Sequence, residues 1–229
     1  MNDIYSEAFQ KSLFNEMAKT YGIMNTLCSF GFNYLWRKAC VENAHIQDAD
    51  TVCDIMSGNG ENGFLIKRNI AHLTCIDYSS VMAKKCIANS SKFNFNTDVI
   101  IENVFNVKFQ KGSFDKIVCS FGMKTLKRVD REKIIDVMID SLKDNGKISI
   151  MEFEIPKNII IKPLWGVYVK YLIPLLGKLF MGNSSNYRML YQYALNYESD
   201  GKLDFILALP GRVWVPSAQE VGLAVSCWV

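Results

Sequence analysis

The sequence predicts an α/β fold: a three-layer sandwich around a mostly parallel sheet, with helices ahead of it and a helical cap inserted after it. Three observations predict this. Short apolar runs at 51–56, 72–77, 98–101, 115–120 and 147–153 alternate with helical patterns at about 61–69, 79–91 and 130–142. That alternation implies right-handed crossovers between parallel strands. The first run feeds a glycine cluster, Thr51–Gly63 (TVCDIMSGNGENG), where backbone must approach a ligand closely. The chain is 229 residues long and 49% hydrophobic, enough for one sizeable core.

Taken in order, residues 1–48 read as an N-terminal helical lid. Phe9, Leu13, Met17 and Tyr21 recur at helical spacing within 6–28, and Leu35, Ala39 and Ala44 less regularly within 33–44. These aromatics read as packing, with cofactor contact as the alternative. Residues 49–156 form the core. A helix is expected from about Glu61, setting free N–H groups and a positive dipole end against the glycine loop. Asn145-Gly146 supplies the turn into the fifth strand. Residues 157–200 form the cap. Its stretch Ile159–Phe180 is very apolar, carries Lys162, Lys170 and Lys178 eight residues apart, and is expected to kink at Pro174. Lys170 interrupts it centrally, which argues against a membrane span. It reads as a cover for an apolar substrate or a face that rests on a membrane, or else as a buried helix. In the atypical tail, 201–229, only VGLAVSCWV reads as a strand, so the closing strands are expected to be incomplete. An unpaired neighbour there would leave an edge open to a second chain, as a homodimer or a partner subunit.

Charge and cysteine usage exclude several classes. The 26 basic and 23 acidic residues give a net charge of +3 with no block of like sign, so no nucleic-acid partner is expected. Seven scattered cysteines without CxxC spacing, and two histidines, predict neither a zinc cluster nor a disulfide framework. They favour a reducing, cytoplasmic setting. The N-terminus reads as neither a signal peptide nor a transit sequence.

The strand ends at Asp54–Ser57, Asp77, Glu102–Val104 and Ser120–Lys124 are predicted to converge where the strand order reverses. Asp77 follows Gly58 by 19 residues, the spacing of an acid that holds ribose hydroxyls. The glycines satisfy GxGxxG, so a nicotinamide dinucleotide is the first candidate. Asp54 argues against it, because a pyrophosphate needs no carboxylate beside it. A carboxylate there suits a ligand with an amino-acid ammonium, such as S-adenosylmethionine. The Tyr-x-x-x-Lys of a short-chain dehydrogenase occurs only as Tyr34–Lys38, ahead of the loop.

Four further segments sharpen this. YGIMNTLCSFGFNYLW (21–36) with Arg37, FDKIVCSFGMKTL (114–126), LKDNGKISIMEFEIP (142–156) and SNYRMLYQYALNY (185–197) occur in order around the glycine loop. Together they resemble the ubiquinone/menaquinone-biosynthesis C-methyltransferase family, within the class I, Rossmann-like S-adenosylmethionine-dependent methyltransferases. The resemblance implies methyl transfer to a carbon, or to N or O, of an apolar quinol-like or natural-product small molecule. It implies that Asp54, Ser57, Gly58 and Gly60 line the methionine end of the cofactor, and Tyr21 touches its carboxylate from the lid. Asp77 would hold the ribose, Tyr78, Asn103 and Val104 the adenine, and Ser120 the floor beneath the methionine. Asp77 alternatively serves as a helix cap, and Ser120 as a plain strand-end hydroxyl.

The departures fall on the substrate side. Gly22 stands where the family has Asp, Glu61 where it has Asp, and Lys124-Thr125 where it has Arg-Asn. Glu61 is then the candidate base that ionises the acceptor hydroxyl, and Lys124 the cation that stabilises the anion. Glu61 alternatively serves only the dipole of a helix first turn. With intact cofactor positions and altered catalytic ones, a non-methyl-transfer reaction such as cyclisation, or an inactive partner subunit, is the alternative reading.

Overall fold

The computed structural model describes residues 3–152, 159, 161–173, 175, 178, 184–199 and 213–214. The strands are β1 (Thr51–Ile55), β2 (His72–Ile76), β3 (Thr97–Ile100), β4 (Phe114–Ser120), β5 (Leu142–Met151) and β6 (Val213–Trp214). All pair in parallel, in the order β3-β2-β1-β4-β5-β6. The order reverses between β1 and β4, so a crevice opens there beyond the strand ends. The antiparallel closing pair that the resemblance implies is not among the described residues, and VGLAVSCWV lies outside them.

The helices are α1 (Glu7–Met17), α2 (Tyr21–Cys28), α3 (Phe32–Asn43), α4 (Ser80–Ser90), α5 (Arg128–Ser141), α6 (Ile161–Val167) and α7 (Ser184–Ser199). A π-helical turn, Tyr168–Leu172, continues α6; Pro174 and its expected kink lie outside the described residues.

Alternation along each strand builds two cores. Cys53, Ile55, Ile117, Cys119, Ile148 and Ile150 face one side, against Ile134, Ile135 and Met138 of α5 and Tyr197 of α7. Val52, Leu73, Cys75 and Val118 face the other, against Val41 of α3 and Cys86 of α4. A period of two survives although both faces are covered, because each residue must still choose a layer. A third cluster joins Leu13, Met17, Met24 and Cys28 of the N-terminal helices to Trp165, Ile173 and Tyr193. The six described cysteines are all free and buried, as small apolar filler.

Two expected helices are corrected. The pattern over 6–28 is two helices, because the Thr20 amide and hydroxyl both turn back to the Met17 carbonyl and satisfy it locally. Over 61–69 there is only a 3₁₀ turn, Gly63–Leu65. The Phe93 ring lies where a Gly63 side chain would begin, and Ile66 and Ile70 are drawn into the core. Six residues, 66–71, remain to reach β2, so the segment runs straight there without a helix. The glycine loop therefore faces no helix dipole from the segment that follows it.

Asn145-Gly146 does turn the chain, but inside β5. Leu142 pairs with Phe114 and Lys147 with Lys116, so the extra residues bulge out, with Asn145 at φ 65°.

Gly60 has φ 76°, and a Cβ on it would lie 2.6 Å from the Cys86 sulfur of α4. Gly60→Ala is expected to lower stability by about 1–3 kcal/mol, from overpacking together with backbone strain. Urea unfolding measures it. Cys86→Ala in the same chain should restore the steric part and leave the backbone part; an unchanged midpoint in Gly60→Ala would contradict this account of the loop.

Candidate functional site

The crevice is built from the ends of β1, β2 and β4, closed on one side by α1. At the end of β1 the Asp54 carboxyl is fully buried. Its Oδ1 accepts a hydrogen bond from Asn62 Nδ2 at 2.9 Å, and Asn62 Oδ1 accepts one from Ser120 Oγ, on β4, at 3.1 Å. Asn62 thus ties the two strands together across the switch point. Asp54 Oδ2 and Ser57 Oγ are buried without a protein partner. Native interiors rarely leave such atoms unmet, which marks this end of the crevice as one with hydrogen-bonding capacity to spare.

Asp77 secures the loop. Its Oδ2 accepts from Gly58 N–H and its Oδ1 from Ser79 N–H, each at 2.8 Å. Ser79, not Asp77, is the cap of α4: its hydroxyl accepts from Met82 N–H. Each carboxylate oxygen keeps a further lone pair, and Asp77 lines the crevice.

Two connected cavities meet at Met56, Asp77, Tyr78 and Thr125. One runs past Tyr78, Asn103 and Val104; the other holds Tyr21, Ser57, Gly58 and Ser120. Ten residues expected at the cofactor are Tyr21, Asp54, Ser57, Gly58, Gly60, Asp77, Tyr78, Asn103, Val104 and Ser120. Eight of them line these cavities, Asp54 and Gly60 being the exceptions. Asp54 sits beneath, joined to Ser120 through Asn62, and Gly60 packs on α4.

The α1 helix is latched over this space by polar contacts. Gln10 donates to the Thr125 carbonyl at 2.6 Å and accepts from the Tyr78 hydroxyl at 3.0 Å. Glu7 accepts from Asn103 at 2.7 Å, and Asn15 from the Ser79 hydroxyl at 2.7 Å. None of these α1 residues is marked by apolar periodicity, so the sequence reading passed over them. The same is true of Asn62, whose only signal was a polar residue amid glycines.

The two catalytic candidates are not brought together. Glu61 pairs with Arg37 of α3 at 2.8 Å, its side chain 23% exposed. Lys124 is turned inward: its Nζ donates to Glu152 at 2.9 Å and to the Phe121 carbonyl, while its backbone N–H donates to the other Glu152 oxygen at 2.9 Å. The expectation that Lys124 offers its charge to a substrate anion meets a cation already held by a buried carboxylate. Arg37 is the residue that the sequence reading left without a role, although Trp36-Arg37 marked the position.

Backbone strain concentrates here. Met56 and Phe121, at the ends of β1 and β4, have φ 55° and 65°. The Met56 side chain occupies the place a Cβ would take on Gly122, 2.8 Å from its sulfur. Both chains thus turn sharply into the crevice.

Burial pushes Asp54 up to about 7 and Asp77 up to about 6, against 3.8 for an ordinary aspartate; the hydrogen bonds from Asn62, Gly58 and Ser79 pull the other way without prevailing. In the native state these acids keep protons that the unfolded chain has released. The stability they contribute is therefore present below about pH 4 and lost as pH rises through 6 and 7, by about 1.4 kcal/mol per unit for each. Urea unfolding from pH 4.5 to 7.5 should show this decline, and Asp54→Asn should flatten its upper part. A stability that rises over that range in the Asp54→Asn-sensitive part would contradict the assignment.

Comparison with known proteins agrees with this arrangement. The sequence model of the ubiE/COQ5 methyltransferase family matches residues 2–215. A demethylmenaquinone methyltransferase from Desulfitobacterium hafniense is 28% identical over 209 residues, covering 89% of this chain and 82% of the relative. One of the same name from Thermotoga maritima is 31% identical over 189 residues, covering 81% and 80%. A structure from Methanococcus maripaludis, described as an S-adenosyl-L-methionine-dependent methyltransferase, shares the fold with a TM-score of 0.53 at 16% identity, over 82% of this chain and 84% of that one. The unmet polar atoms of Asp54 and Ser57, and an Asp77 carboxylate that lines the crevice with lone pairs to spare, are chemically compatible with S-adenosylmethionine. The chain belongs to the ubiE/COQ5 methyltransferase family and is an S-adenosylmethionine-dependent methyltransferase.

Proposed function

We propose that this enzyme methylates a ring carbon of a quinol-like, apolar acceptor. The observation that carries this reading is the wall of the cavity beside Ser57 and Gly58: Phe14, Tyr21 and Phe121 line it, with Arg37 at its edge. A flat aromatic acceptor gains by stacking on these rings, and the polar groups beside them can fix its orientation. The names of the two relatives point the same way.

Bound in the crevice, S-adenosylmethionine supplies an electrophilic methyl group. Asp54 and Ser57 receive its amino-acid end, Asp77 the ribose hydroxyls, and Tyr78, Asn103 and Val104 the adenine. Tyr21 and α1 close over it as a lid that excludes water. Glu61 takes the proton of an acceptor hydroxyl, and the electron pair left on oxygen makes the neighbouring ring carbon nucleophilic. That carbon later gives its own proton to water, and Glu61 returns the first proton to the oxygen, so the methylated ring regains its aromatic hydroxyl form. Lys124 acts here as a positioning residue: through Glu152 it holds the loop after β4 against β5.

The test is methyl transfer to a short-chain demethylmenaquinol kept reduced in the assay, alongside calorimetry. Glu61→Gln should slow transfer by about 100- to 10,000-fold, the usual worth of a base, while S-adenosylmethionine affinity stays nearly the same. Asp77→Ala should weaken that affinity by about 1–3 kcal/mol. NAD binding as tight as S-adenosylmethionine, or full activity in Glu61→Gln, would overturn the reading.

The acceptor side also has a surface suited to lipid. Ile23, Leu27 and Phe30 are exposed beside α6, where Leu164, Val167 and Tyr171 are 65%, 59% and 60% exposed. Phe30 stacks on Tyr168 at 6.0 Å, and the Tyr168 hydroxyl donates to the Cys28 carbonyl at 2.6 Å, which makes the two elements one surface. Lys162, Lys170 and Lys178 are exposed along the same segment. Among the described residues no helix is long and apolar enough to cross a membrane. Apolar side chains flanked by lysines match an anionic bilayer surface, each lysine adding about 1 kcal/mol. The enzyme should co-sediment with phosphatidylglycerol vesicles more than with phosphatidylcholine vesicles, and less so in high salt. Leu164→Asp with Val167→Asp should abolish it; equal sedimentation by that variant would exclude this surface.

A further inference from the structure

The Arg37 guanidinium is an unusual feature of the crevice. Its side chain is 7% exposed, and among the described residues it pairs with the Glu61 carboxylate, at 2.8 Å. Its Cζ lies 5.0 Å from the centre of the Phe121 ring, and its Nε is buried without a protein partner. It lines the cavity shared by Tyr21, Ser57 and Ser120. A cation taken this far out of water needs its donors met, and the buried Nε–H is one that no protein group meets.

The neighbouring residue sharpens the case. A Cβ on Gly22 would lie 3.5 Å from Glu61 Oε1, so position 22 is the place from which a second acid would reach this pair. With glycine there, Glu61 and Arg37 together carry no net charge, and the other carboxyl that acts on the guanidinium is the buried Asp54. Lys124, by contrast, is committed to Glu152 and the Phe121 carbonyl.

We propose that Arg37 binds the anionic oxygen of the methyl acceptor, through the N–H groups of its guanidinium, next to the carbon that reacts. The ligand class is an aryl oxide: a ring hydroxyl ionised in place. A planar guanidinium suits it, stacked on Phe121 and presenting fixed N–H directions, where an ammonium gives only a point charge. Glu61 serves Arg37 as counterion when the site is empty, and receives the acceptor's proton when it fills. The proposal rests on the reading that the acceptor lies in this crevice, and its test does not require turnover.

The probe is 4-nitro-1-naphthol, whose anion absorbs visible light, titrated with pH in the presence of the enzyme saturated with S-adenosylhomocysteine. The wild-type site should lower the probe's apparent pKa by about one unit or more, which is about tenfold in favour of the anion. Arg37→Met should abolish that shift. Arg37→Lys, which keeps the charge and lacks the Nε–H, should recover only part of it. Gly22→Asp, which adds an acid beside Glu61, should reduce the shift, and Glu61→Gln should enlarge it. S-adenosylhomocysteine affinity is measured by calorimetry for each variant and the ligand kept saturating, so that a lost shift reports the acceptor site and not an empty cofactor site. An unchanged shift in Arg37→Met or a full shift in Arg37→Lys would overturn the proposal, as would failure of the wild-type enzyme to take up the anion. An Arg37-dependent shift in an enzyme that transfers no methyl to demethylmenaquinol would support the aryl-oxide site and sink the proposed acceptor instead.

Discussion

The hydrogen-bonded chain from Asp54 through Asn62 to Ser120 is the constraint on which the site depends. It links β1 to β4 at the point where the strand order reverses, and it is buried throughout. A parallel sheet necessarily diverges there, because one crossover leaves to each side. Something must hold the gap at a fixed width while leaving acceptors free. Asn62 does both, since its amide gives one donor to Asp54 and one acceptor to Ser120 and leaves Asp54 Oδ2 open. A partly satisfied polar network is costly in a folded interior. Here the cost falls where a ligand offsets it.

Rigidity around that gap has a second source. Met56 and Phe121 both turn through left-handed backbone, and the Met56 side chain fills the space that Gly122 leaves. Two strained turns packed against each other have few alternative arrangements, so the crevice is shaped before any ligand arrives. The lid is held differently. Gln10, Glu7 and Asn15 attach α1 through side-chain hydrogen bonds at the crevice rim, whereas its apolar face is sunk into the third core with α6 and α7. Polar latches of that kind exchange readily with water and ligand groups, while an apolar core stays closed.

Charge is distributed in two separate pairs, and their burial assigns their work. Lys124 and Glu152 are almost wholly enclosed, with side chains 5% and 2% exposed. Such a pair braces a loop but has no freedom to follow a reaction. Arg37 lines the cavity and is paired with Glu61, whose side chain is 23% exposed. An acid in that setting can exchange a proton with a substrate and with water, and the cation beside it is fixed by the Phe121 ring.

How much was legible in the sequence follows from which interactions are local. The strands, their order of appearance and the positions of Asp54, Ser57, Gly58, Asp77 and Ser120 at strand ends were determined by apolar periodicity and glycine placement, which act over a few residues. Four motifs in order were enough to identify the family. The pattern over 61–69 misled because helical spacing says nothing about Phe93, a residue 30 positions after Gly63 that takes the space beside it. Lys124 misled for a similar reason: its spacing placed it at the crevice, but its charge was claimed by Glu152, 28 residues later and one strand away. Arg37 and Asn62 gained their roles only through partners on other elements, Phe121 with Glu61 and Asp54 with Ser120. Side-chain partners at long range are chosen by packing, so the sequence by itself determined which strand ends and loops meet at the crevice, and only the tertiary structure decided which side chains line it and which are claimed by partners.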